Sequence, residues 1–155
     1  MKLVRYLAIL VVVLGVVAIV LGGVFIGEGI AKNNLIVDRM RVEKVTLALD
    51  PDNPSVSTQI NNMNDAQKAA DTIAGHRRAI APTYQDLLGG GKFDPTNPKD
   101  LTYAQAMNLE NYLYMAVTAF GLVQVTTASG VFMVVTGIAL GGTGVALYRV
   151  GHSQS

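Results

Sequence analysis

One stretch of this chain restricts its fold more than any other: from Asn111 to Tyr148 there is no Asp, Glu, Lys or Arg. A helix needs about 20 apolar residues to cross the hydrocarbon core of a bilayer, and these 38 residues are almost twice that. Within the run, Gly130, Gly137 and Gly144 recur every seven residues, with Gly141 and Gly142 between the last two. That interval puts the first three on one stripe of a helix. A lipid-facing position gains nothing from glycine, whereas a closely packed helix partner does. We therefore expect a membrane helix built for contact with another helix.

A candidate partner stands at the other end of the chain. Leu7 to Gly27 is a second uncharged run, of 21 residues, behind the basic Lys2 and Arg5. A secretory signal has the same positive start, but its apolar core is about 7–15 residues long. The best small-x-small cleavage candidate is Gly29-Ile30-Ala31. On length, an uncleaved first transmembrane helix is the expectation. It too carries small residues seven apart, at Ala8, Gly15, Gly22 and Gly29. Gly23 and Gly27 add a Gly-x-x-x-Gly pair. Setting Tyr6 and Tyr148 at one interface, as aromatic belts suggest, puts antiparallel partners at residue numbers that sum to about 154. Gly15 is then level with Ala139. Gly22 is level with Phe132, so it either receives that ring or meets Gly130 after a small shift. The two stripes can form a tight hairpin or a seam between subunits.

Between the runs the chain has a different character. All 11 acidic residues lie from Glu28 to Glu110, and both ends are basic and acid-free. Ile30, Leu35, Ile36, Val37 and Met40 among charged neighbours extend the first helix to about Arg41. Val42 to Leu49, with Val42, Val45 and Thr46, reads as a short strand. Asp50 to Pro54 is a turn cluster. Ala66, Ala69, Ala70, Ile73 and Ala74 predict a helix over 64–81, capped by Asn64 or Asp65 and stopped at Pro82. His76, Arg77 and Arg78 in its last turns read as dipole compensation on a solvated face. Thr83 to Leu88 allows another helical turn or two. Gly89-Gly90-Gly91 lacks the strand and the Lys-Ser/Thr that a phosphate loop requires, because Gly91-Lys92 is followed by Phe93. The final helix is expected to open at Asp100 or Leu101, with Thr102 to Gln105 as a capping box. His152 is expected on a disordered tail.

The expected class is mainly α and integral to the membrane. It is an antiparallel hairpin of two transmembrane helices that extend beyond the bilayer, with a mostly helical extracytoplasmic loop domain. In residue numbers this is a cytoplasmic N-terminus 1–6, a first span 7–27, an extracytoplasmic segment 28–127, a second span 128–148 and a cytoplasmic C-terminus 149–155. The segment divides into a helical extension 28–41, a strand 42–49, a helix 64–81, a loop 89–99 and the start of the final helix 101–127. The orientation follows from the positive ends, since short cytoplasmic tails carry the Lys/Arg bias. The localisation is a multi-pass protein of the cell membrane.

Several chemistries are excluded by composition. Charged residues make up 15%, against about 25% in a typical soluble chain. The net charge of +1 offers no basic face for nucleic acid. Without cysteine there is no disulfide, thiolate metal site or cysteine nucleophile. No His/Asp/Glu cluster has metal-ligand spacing, and no Gly-x-Ser-x-Gly elbow is present. The apolar spans hold no ionisable residue of the kind proton relays use. We expect no catalytic residue, no metal and no cofactor. Gln124 is the one candidate polar contact within the last apolar run, beside Thr118, Thr126, Thr127, Thr136 and Thr143.

The sequence resembles small two-span membrane proteins of actinobacteria and related bacteria that automated labels call "aromatic ring-opening dioxygenase LigA". The likeness rests on the basic start, the Gly-rich first span and Glu43-x-Val45-Thr46. It continues in the Ala-rich helix ending Ile73…His76, Thr83-Tyr84-x-x-Leu87, Asp94-Pro95 and the long apolar final helix. Their loop is generally shorter, and the region from Pro51 to Asn62 has no counterpart. The resemblance implies the two-span topology. The dioxygenase label does not carry over, because non-haem iron needs a His/His/carboxylate set and this loop has one histidine. The functional expectation is a non-enzymatic protein acting by helix contact, as an accessory or scaffold subunit or a homo-oligomer. Its partners would be membrane lipid and other transmembrane helices. The alternatives are an oligomeric pore for small solutes and an extracytoplasmic sensor or ligand-binding module.

Overall fold

A computed structural model describes residues 2–43, 46–48 and 57–153. The chain is mainly helical, and two of its helices are long and apolar enough to cross a membrane. These are α1, Lys2–Val42, and α4, Pro98–Ser153. Between them lie β1 (Thr46–Ala48), β2 (Ser57–Gln59), α2 (Met63–Ile80) and α3 (Tyr84–Leu88). The chain divides into two compact units. Unit 1 joins Met1–Asn33 to Leu122–Ser155, and unit 2 is Asn34–Gly121.

Four local expectations are corrected. Val42 ends α1 rather than opening a strand, and among the described residues of that stretch the strand is Thr46–Ala48. It pairs antiparallel with β2, Thr46 opposite Gln59. The turn at Asp50 to Pro54 lies outside the described residues. The cap of α2 is Asn62, not Asn64 or Asp65. The Asn62 side chain accepts the Asp65 N–H at 3.0 Å, while the Asp65 carboxylate accepts the Asn61 N–H at 3.1 Å. Two orphan N–H groups are thereby satisfied reciprocally. Next, α4 opens at Pro98 rather than at Asp100 or Leu101. Asn97 caps it by accepting the Lys99 N–H at 2.9 Å, and proline suits the first helical position because it has no N–H to leave unpaired. Thr102 is already inside the helix and donates to the Pro98 carbonyl. Finally, His152 belongs to α4 and not to a disordered tail.

In unit 2 a small core forms from side chains. Ile60, Ala66, Ala69, Ala70, Leu113, Ala116 and Phe120 are buried together, with Ile36, Val37 and Met40 of α1 packed against them. The alanines recur along one face of α2, and a helix covered by alanine lets its neighbour approach closely. α3 ends on Gly89, whose φ of 54° is left-handed, a conformation that glycine adopts without Cβ strain.

Candidate functional site

Unit 1 is held by backbone contact. A Cβ on Gly15 would lie 2.7 Å from both the Gly137 carbonyl oxygen and the Gly141 nitrogen. One on Gly22 would lie 2.6 Å from the Gly130 oxygen and 2.9 Å from the Val134 nitrogen. The reciprocal positions are as tight. Gly130 faces Gly22 and Ile26, Gly137 faces Gly15 and Ile19, and Gly144 faces Ala8 and Val12. These distances are far inside the ~3.5–4.0 Å of an ordinary carbon contact. Successive contacts climb one helix and descend the other, so the pair is antiparallel. Gly15 sits between Gly137 and Gly141, centred on Ala139. Gly22 sits between Gly130 and Val134, centred on Phe132.

The Phe132 ring does not enter the seam. It is 71% exposed, because it points outward at a position where the opposing backbones already touch. Glycines meet across the seam by a half-turn stagger, with no shift of register. Ala8 is fully buried. Gly29 is filled by the Thr127 hydroxyl, which donates to the Val123 carbonyl at 2.9 Å. Gly141 offers its backbone to Gly15, yet a Cβ of its own would point into open space. Gly23, Gly27 and Gly142 also face open space, and nothing in the structure explains them.

Gln124 stands outside the seam. It is exposed and lines an open cleft of about 420 Å³ with Gly29, Asn33, Thr127 and Val131. Among the described residues its amide has no hydrogen-bond partner. The threonines differ: Thr118, Thr126, Thr127 and Thr143 each donate to the carbonyl four residues earlier. A hydroxyl bonded to its own helix is satisfied without any partner helix.

Unit 2 contains the buried charge that the sequence reading missed. Arg77 is not solvated. Its Nε donates to Glu110 Oε2 at 2.6 Å and its Nη1 to the Tyr103 hydroxyl at 2.5 Å. Both ion-pair side chains are nearly buried, 13% and 10% exposed. The Glu110 hydrogen bond, offset in part by burial, holds the Arg77 guanidinium even further above neutrality than usual. Residue spacing carried the signal. Arg77 continues the buried stripe of Ala66, Ala70 and Ala74, and Glu110 lies between Tyr103 and Leu113 on the buried face of α4. His76 and Arg78 are exposed. Nearby, Tyr114 donates to Asp71 at 2.9 Å, which raises the phenol's pKa.

This cluster is a structural tie. Its acid and base neutralise one another, and the Tyr103 ring packs beside Tyr84 at 6.3 Å between centroids. Among the described residues, no group of three or more His, Asp or Glu side chains converges as a metal would need. Comparison with protein-family models, curated proteins and solved structures gave no match. The functional reading therefore rests on the chain's own geometry.

Proposed function

We propose that this chain is a non-enzymatic, two-span hairpin protein of the cell membrane that acts by helix contact, as an accessory or scaffold subunit of a membrane complex or as a homo-oligomer. Both termini face the cytoplasm and 28–127 lies outside. The carrying observation is the division of labour on the two long helices. Their inner faces are closed by glycine, while their outer faces expose large apolar side chains such as Val20 (60%), Ile138 (62%) and Phe132 (71%). Water would penalise such a surface, at about 25 cal/mol per Å², whereas lipid or another apolar helix would not.

Gln124 supports contact with a further helix. An amide on an apolar face gains from a hydrogen-bonding partner across a helix interface, by about 1–2 kcal/mol at most. The self-bonded threonines weigh against a pore lined by the Thr/Gln face, because their donors are already occupied. The resemblance noted above agrees with the two-span plan and supplies no activity. The test is purification from native membranes with intact-complex mass spectrometry. A stoichiometric partner or a defined oligomer is expected. A monomer that co-purifies with nothing contradicts the reading.

A further inference from the structure

We propose that the end of unit 1 where Arg5 meets Tyr148 is a binding site for an anionic phospholipid, with the lipid phosphate on Arg5 and an acyl chain in the adjoining apolar groove. The inference rests on the membrane reading above. Arg5, Tyr6, Ile9 and Tyr148 line a cleft of about 370 Å³. Ile9 and Tyr148 are shared with a second, wholly apolar groove of about 240 Å³ that continues past Ala8, Val12 and Val145. A polar cleft that runs into an apolar groove matches an amphiphile. A free phosphate would use only the first half.

Among the described residues, no carboxylate pairs with the charge at this site. Glu28 is the only acidic side chain in unit 1, and at 1.5 Å per residue it lies about 35 Å along α1 from Arg5. The first turn of α1 contains no acidic residue, so its unpaired N–H groups add positive potential at the same end. The guanidinium is held in place. Its Cζ lies 5.7 Å from the centre of the Tyr148 ring, and its Nη2 is 2.5 Å from His152 Nδ1. Arginine can only donate and does not lose its proton, so the positive charge stays on the guanidinium. Gly151 is buried beside Val4 and the Arg5 stem. A planar guanidinium with donors to spare suits the paired oxygens of a phosphate diester. Tyr6 and Tyr148 suit the headgroup level.

The test uses the full chain in nanodiscs of equal parts phosphatidylcholine and phosphatidylglycerol, released into native mass spectrometry. We expect phosphatidylglycerol to be retained about fivefold over phosphatidylcholine, the scale of one basic contact at a lipid surface. Arg5→Gln should abolish that preference. Lys32→Gln, which changes only the exposed pair with Glu28, should leave it intact. Val145→Phe, which fills the apolar groove, should lower phosphatidylglycerol retention with Arg5 present. Equal retention of both lipids, or an Arg5→Gln variant that keeps the preference, overturns the proposal. Displacement of the lipid by millimolar inorganic phosphate, with Val145→Phe silent, also overturns it and assigns the cleft to free phosphate. A chain that fails to enter the disc instead overturns the membrane reading.

Discussion

The two units of this molecule solve the same packing problem in opposite ways. Unit 1 brings helices together by removing side chains: Gly15, Gly22, Gly130, Gly137 and Gly144 leave backbone touching backbone. Unit 2 brings them together by adding side chains, burying Tyr103, Phe120 and Ile60 almost completely and tying Arg77 to Glu110. On the membrane assignment proposed above, the difference follows from solvent. In water, burial of a large apolar side chain contributes about 1.5–3 kcal/mol, so bulk stabilises a core. Between lipid-facing helices that driving force is absent, and dispersion from close approach takes its place. A glycine that costs about 1 kcal/mol in an aqueous helix becomes useful where it admits another backbone.

The contrast can be broken first in unit 2. Phe120→Ala should remove about 3–5 kcal/mol, the usual cost of deleting a buried aromatic. Denaturant unfolding, followed by near-ultraviolet circular dichroism of the tyrosines, would measure it, and a loss below 1 kcal/mol would mean that Phe120 is not part of a packed core. Glu110→Ala comes next, at about 3 kcal/mol, because it strands a nearly buried guanidinium. Replacing Arg77 and Glu110 together by Met should recover most of that loss. If it does not, the pair stabilises beyond mutual neutralisation.

A smaller effect belongs to Tyr114. Tyr114→Phe should cost about 0.5 kcal/mol, the low end for one hydrogen bond. The bond to Asp71 raises the phenol's pKa. Its contribution is thus fully present below the unfolded tyrosine value of about 10, and it is lost as pH rises through the folded value. Absorbance titration should show one phenol ionising late, and Asp71→Asn should return it toward the ordinary range.

How far the sequence discloses these features depends on their range. Seven-residue glycine spacing is periodic and local, and it marks the line along which the α1 and α4 backbones touch in unit 1. The outward turn of Phe132 was not legible, since rotation about the helix axis is decided by the partner's backbone. Arg77 and Glu110 are far apart in sequence. Each reads as ordinary surface charge until it is placed on the stripe of buried neighbours around it. The caps at Asn62 and Asn97 were present as short motifs, Asn-x-x-Asp and Asn-Pro. Competing candidates two to five residues on, Asn64, Asp65 and Thr102, obscured them. Strand β2 has three residues and no alternation long enough to detect, and only its partner β1 defines it.

The claim that unit 1 is assembled by backbone approach is tested most directly at two adjacent glycines. A Cβ on Gly22 would strike the Gly130 carbonyl and Val134, whereas one on Gly23 would meet nothing within 4 Å. Thermal unfolding of Gly22→Ala and Gly23→Ala, in the same detergent and at the same protein concentration, compares a closed position with an open one. We expect Gly22→Ala to lose about 1–3 kcal/mol through overpacking, with Gly23→Ala unchanged or slightly more stable. Equal stability of the two variants would contradict the account.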